Sequence, residues 1–244
     1  MILAALVASL AGFIGSRIVV AEANAHRMAL PDRWWDPVCE VCGSPLGVTM
    51  LRCDTNQHRQ RRLVAVIVVG ATIGSGAIPL VVPTMWVVPA YVAFVLGSIL
   101  LTVTDIDTKL IPNRILVRVL VIGGLLLVVG GFASSHPAAV ARAFGGGLAY
   151  FGIMFILALV ARGALGFGDV KLAALLGVFT GYLGWAQLTI AVLGAFLIGG
   201  VVSLALLVSG RAGRKDAIPF GPFMVAGAFM AVYAGDQIVR WYNG

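Results

Sequence analysis

Leu165-Gly166-Phe167-Gly168-Asp169-Val170-Lys171 sits between apolar runs dominated by isoleucine, leucine, valine and alanine. A carboxylate in such a place is costly and marks a functional position by default. Gly166 and Gly168 permit irregular backbone and close approach by a second segment. One other stretch is comparable, Thr104-Asp105-Ile106-Asp107-Thr108-Lys109-Leu110-Ile111-Pro112-Asn113, at the end of an earlier apolar run. The expectation is that Asp105 and Asp169 meet in space.

The surrounding composition sets the class. Of 244 residues, 60% are hydrophobic and only 11% charged, where a soluble domain carries about 25% charged residues. Mean hydropathy is +1.02. With about 20 apolar residues needed per span, the chain has room for about eight transmembrane helices, and it reads as an all-α polytopic membrane protein in contact with the lipid bilayer. The net charge of +7 is explained by loop placement, and no nucleic-acid partner is expected. Three cysteines are too few and too clustered for a disulfide framework. The opening apolar run resembles a signal peptide, with Ala23-Asn24-Ala25 like a cleavage site. No basic residue precedes the run, however, and Arg17, Arg27 and Arg33 follow it, so a retained helix with an outside N-terminus is expected.

The spans read as about Ile2–Ala21, Leu63–Val82, Met85–Thr104, Ile115–Phe132, Ala139–Ala161, Asp169 to the Gly181–Gly184 turn, Ala186–Ser209 and Phe223–Trp241. A polar, arginine-rich loop of roughly 40 residues follows the first span. Pro79 and Pro83 mark a tight turn after the second. Residues 1–62 thus form a first helix with its loop, and 63–244 a membrane-embedded unit. Alternation places the long loop, both aspartate stretches and the loop near Arg211 on one side, with 15 of the 17 lysines and arginines. Only Arg142 and Arg240 fall on the other. This asymmetry makes the basic side cytoplasmic and puts both carboxylates at one face. Glycines 123, 124, 130, 131, 145, 146, 147, 194, 199 and 200 suit close helix packing.

Two carboxylates in contact cannot both ionise readily, so one pKa rises. Such a pair can hydrolyse a peptide: one carboxylate takes a proton from water, and the other donates one to the carbonyl oxygen. Asp169 opens a helix, whose positive end favours the ionised base; Asp105 closes one, whose negative end favours the protonated acid. The pair titrates as a unit. Alternative readings are an N-cap role for Asp169, interfacial charges for Asp105 and Asp107 near Lys109, and an ion- or proton-coupled transporter using both aspartates. Lys109 and Lys171 also suit interfacial anchoring. Pro112 and Asn113 suit a turn, and Pro219, Gly221 and Pro222 suit either a helix break walling the site or loop punctuation.

The motifs resemble those of the type IV prepilin peptidases, polytopic GxGD aspartyl proteases. Gly166-Phe167-Gly168-Asp169, followed by Lys171, matches the GxGD element. Asp105 to Asn113 resembles the first-aspartate motif, in which the catalytic residue stands seven before the proline, selecting Asp105 over Asp107. Ile218-Pro219-Phe220-Gly221-Pro222-Phe223 resembles the segment before the last helix. The likeness runs from about Leu96 to the C-terminus. It implies a prepilin leader peptidase of the cytoplasmic membrane that cleaves leaders from type IV prepilins or pseudopilins at the cytoplasmic face, with Asp105 and Asp169 catalytic and no cofactor for hydrolysis. A catalytically inactive pilus-assembly protein is the remaining reading.

Many members of that family carry zinc-binding CxxC pairs and methylate the product with S-adenosylmethionine. Here Cys39-Glu40-Val41-Cys42 is followed by Cys53, and Asn56 stands where a fourth cysteine belongs. His58 completes a candidate Cys3His structural zinc set. Gly15-Ser16 keeps the start of the segment after the first helix, but its asparagine is missing, so methylation is expected to be absent or feeble.

Overall fold

The computed structural model describes residues 1–28, 62–160, 165–210 and 218–244. Every regular element among them is helical: α1 (Ile2–Met28), α2 (Arg62–Val81), a 3-10 turn (Met85–Val87), α3 (Val88–Thr108), α4 (Asn113–Ala133), α5 (Pro137–Val160), α6 (Phe167–Leu183), α7 (Trp185–Val208) and α8 (Gly221–Tyr242). Six of these are long and apolar enough to cross a membrane. In α2 the apolar part is Val66–Val81, and α6 has only 17 residues, about 25 Å of helix against a hydrocarbon core of about 30 Å. The expected all-α polytopic architecture is therefore present, while the apolar part of α2 and the whole of α6 are shorter than full spans.

Boundaries shift from the sequence reading in two informative places. α3 continues four residues past Thr104 and ends where Lys109 turns left-handed, at φ 54°. Asp105 thus lies in the helix's last turn. Pro79, expected in a turn, lies inside α2. It stands two residues before the helix end, where its ring and missing N–H disturb little that follows.

The helices pack as three intimate hairpins, α1/α2, α5/α6 and α7/α8, around α3, which also meets α4 and α8. Glycine makes the closest approaches. A Cβ added at Gly146 would come 2.7 Å from the Gly177 carbonyl and 2.8 Å from the Gly181 Cα. Such backbone-to-backbone contact replaces the hydrophobic drive that lipid cannot supply. Gly124 and Gly200, expected to pack closely, have nothing within 4 Å, because they lie on open faces. Gly177, Gly181 and Gly227 do pack against neighbouring backbone.

An aromatic cluster pins α6 to α3. Phe94 stacks on Phe179 with centroids 4.5 Å apart, and the Tyr91 hydroxyl donates to the Phe179 carbonyl at 2.7 Å. Antiparallel neighbours and these ties bring the C-terminal end of α3 beside the N-terminal ends of α4, α6 and α8.

Candidate active site

Asp105 lies three residues before the end of α3, and Asp169 is the third residue of α6. At 1.5 Å per residue each stands within about 5 Å of its helix end. Both line one pocket of about 310 Å³, together with Lys109, Ile111, Asn113, Gly166, Phe167, Gly168 and Lys171. The two carboxyls are close enough to interact electrostatically.

Their surroundings differ. Asp105 is 5% exposed, and its Oδ2 has no hydrogen-bond partner. Gly221, at the start of α8, closes over it: an added Cβ there would sit 2.5 Å from Oδ2. Asp169 is half-buried. Gly166 precedes the first helical residue, and the Asp169 amide donates to its carbonyl at 3.1 Å. The Asp169 carboxyl turns back toward Gly166, where an added Cβ would be 3.5 Å from Oδ2. Asp169 is thus the third helical residue, and the N-cap reading for it does not hold: Gly166 occupies that position. An acidic residue there complements the unpaired amides and the positive end of the helix.

The lysines and the α3–α4 turn frame the opening. The Lys171 ammonium donates to Asn113 Oδ1 at 2.9 Å and lies 4.9 Å from the Phe167 ring centroid. One side chain therefore ties the stretch bearing Asp169 to the turn that follows Asp105. Pro112 precedes α4, and its carbonyl accepts from the Ile115 and Leu116 amides at 3.1 Å. Gly168 matters for closeness: a Cβ there would meet Ile111 Cβ at 3.2 Å.

Not all sequence-selected residues gather here. Gly221 touches Asp105, but Pro219 is outside the pocket lining, and Pro222 lines a separate apolar groove. Asp107 is exposed and outside the pocket lining. Cys39, Cys42, Cys53 and His58 lie outside the described residues. Among the described residues no cluster of three or more metal-ligating side chains occurs.

Sequence reading missed Arg142 as more than a topology marker. Its Nε donates to the Gly181 carbonyl at 2.9 Å, and one terminal nitrogen donates to Tyr182 at 2.6 Å and Leu183 at 3.4 Å. These are carbonyls left unpaired where the short α6 ends. The signal was present: Arg142 is an ionisable residue in an apolar run, like Asp169.

The fold and pocket define a polytopic helical membrane protein with two carboxylates presented together near helix ends at one face. Residues 92–204 match the model of the Type IV leader peptidase family. The resemblance to type IV prepilin peptidases is thereby borne out. Proteins described as "Prepilin leader peptidase/N-methyltransferase" are similar: 33% identity over 143 residues in Aeromonas hydrophila, covering 58% of this chain and 48% of that protein. The Bacillus subtilis (strain 168) protein is 32% identical over 151 residues, 62% of this chain and 58% of its own length. The Burkholderia pseudomallei (strain 1026b) protein is 31% identical over 210 residues, 84% of this chain and 61% of its own. The chain spans about half the length of the first two of these relatives' matched proteins. No solved structure matches it significantly.

Proposed function

We propose that this protein is an integral membrane aspartyl endopeptidase that removes the leader peptide of type IV prepilin-like proteins. The observation that carries the reading is the shared pocket: Asp105 and Asp169 stand 64 residues apart in the chain and line one cavity, within the segment that matches a leader peptidase family.

The chemistry follows from a carboxyl pair sharing one proton. Asp169, at a helix N-terminus, takes a proton from water as that water attacks the scissile carbonyl. Asp105, more deeply buried, donates its proton to the carbonyl oxygen; as the tetrahedral diol collapses, Asp169 passes the proton taken from water to the departing amine and Asp105 takes one back from the diol hydroxyl, which restores the pair. Water can reach the site because both carboxyls stand within a turn of a helix end. Hydrolysis through this pair uses no metal.

The active face is cytoplasmic and the membrane the inner one, a placement supported by the basic loops on that side. Residues 63–244 form the peptidase unit, and residues 1–62 a first helix with its loop. Cys39, Cys42, Cys53 and His58 form a structural zinc set in that loop. N-methylation of the product with S-adenosylmethionine is absent or feeble, because Gly15-Ser16 is not followed by the asparagine that the family's segment carries. The test is reconstitution of the full chain with a type IV prepilin in liposomes, followed by mass spectrometry of the product N-terminus. Removal of the leader supports the proposal, and an intact precursor under all conditions contradicts it.

A further inference from the structure

We propose that the groove between α2, α3 and α8 receives the apolar segment of the precursor as a docked helix. This rests on the peptidase reading above. The groove has a volume of about 390 Å³ and runs from Ile106 and Pro222 to Gly74 and Tyr233. Its head adjoins the carboxylate pocket through the chain itself: Ile106 follows Asp105, and Pro222 follows Gly221, which closes over Asp105. From Ile106 back to Ile99, α3 covers about 10 Å, which is two turns of a helix lying alongside.

The floor of the groove favours a polypeptide helix. Gly70 and Gly74 stand four apart on α2, the spacing that lets a second helix bring its backbone close. Elsewhere such glycines already hold backbone of this chain: an added Cβ at Gly227 would be 2.5 Å from the Ala191 carbonyl, and one at Gly146 would be 2.7 Å from that of Gly177. Gly70 meets only a side-chain carbon of Ile99, at 3.8 Å, and is the open position; Gly74 is held by Val95 at 3.2 Å and by the Tyr233 hydroxyl, which donates to its carbonyl at 3.0 Å and closes the far end of the groove. Thr102, one turn before Asp105, lines the groove with a buried Oγ1 that has no hydrogen-bond partner. A lipid chain would use neither feature, and a second copy of this protein seated here would cover the approach to Asp105. The larger apolar grooves come no nearer the carboxylates: the one between α4 and α5 reaches Ala174, five positions past Asp169, and the one between α1 and α3 reaches Leu96, nine positions before Asp105.

The test compares two substrates with the full chain in liposomes: an anchored precursor with its apolar segment, and a short soluble peptide spanning only the cleavage site. Gly70→Leu fills the groove. It should raise KM for the anchored precursor about tenfold while leaving hydrolysis of the short peptide unchanged, the pattern expected when uniform binding is lost. Gly124→Leu, in the α4–α5 groove, should leave both substrates unaffected. An anchored-substrate KM within twofold of wild type for Gly70→Leu would overturn the proposal. If Gly70→Leu impairs both substrates, photocrosslinking decides, with a small diazirine side chain at Ala226 of the otherwise unchanged protein. Adducts to the precursor's apolar segment support docking. Adducts only to lipid, or to a second copy, overturn it. A wild type that cleaves neither substrate refutes the peptidase reading, while the crosslink still reports on the groove.

Discussion

Asp105 and Asp107 stand two residues apart on α3 and face different worlds. The first is buried against Gly221 and lines the pocket; the second is exposed and does not. Asp105→Asn and Asp169→Asn should each abolish leader cleavage with the protein still folded, and the double variant should be no worse, because the pair acts as a unit. Asp107→Asn should retain substantial activity. Cleavage assays on membranes with matched protein levels check all four, and an inactive Asp107→Asn beside an active Asp105→Asn would shift the assignment by one helix face. Gly221→Ala makes a sharper test of geometry. Its Cβ would come 2.5 Å from Asp105 Oδ2, so the carboxyl must rotate away, and a displacement of about 1 Å can cost about 10²-fold in rate. Wild-type turnover in Gly221→Ala would show that Asp105 has room to spare. The carboxylates themselves were legible in the sequence, since charge in an apolar run has few explanations. The contact of Gly221 with Asp105 was not, because it joins segments more than 100 residues apart and depends on how α8 enters the bundle.

The element that decides the site is α6, and its behaviour follows from its length. At 17 residues it ends short of a full span, so its last carbonyls need donors that lipid cannot provide. Arg142 supplies them across the α5–α6 contact, and Gly146, Gly177 and Gly181 bring the two helices close enough for it to reach. Arg142→Met leaves these carbonyls without the guanidinium and should lower stability by about 1–3 kcal/mol, read as a fall in thermal unfolding temperature in detergent or nanodiscs. An unchanged transition would mean that water or lipid headgroups satisfy that helix end. Gly177→Leu should be at least as damaging, since its Cβ would press on the Gly146 carbonyl and Tyr150 Cβ, and overpacking costs about 1–3 kcal/mol even where side chains can adjust. The existence of each helix could be read from hydropathy, because each is a predominantly apolar run, although α6 and the apolar part of α2 are short ones. The glycines that pack could not be separated from those facing outward: Gly124 and Gly147 look alike in sequence, yet only Gly147 meets a neighbouring helix.

At the scale of the whole molecule, the ends of α3 and α6 that bear the aspartates meet at one face, which the proposed topology makes cytoplasmic. An impermeant thiol reagent applied to intact cells should therefore label a cysteine placed at His136, in the α4–α5 turn, and leave one at Thr108 unmodified until the membrane is opened. Labelling at Thr108 in intact cells would overturn the cytoplasmic assignment. Metal analysis of purified protein should find about one zinc per chain, lost in Cys39→Ser, from a four-ligand site, and metal-free wild type would remove that reading. Alternation was legible in part: one miscounted span between them would split the carboxylates, and both line one pocket. The central claim is that Asp105 and Asp169 act together to cut a leader peptide. Its most direct measurement incubates wild type, Asp105→Asn and Asp169→Asn, reconstituted at equal amounts, with a type IV prepilin and follows the mass of the product. Leader removal by wild type and none by either variant is the expected result; removal that persists in either variant would contradict it.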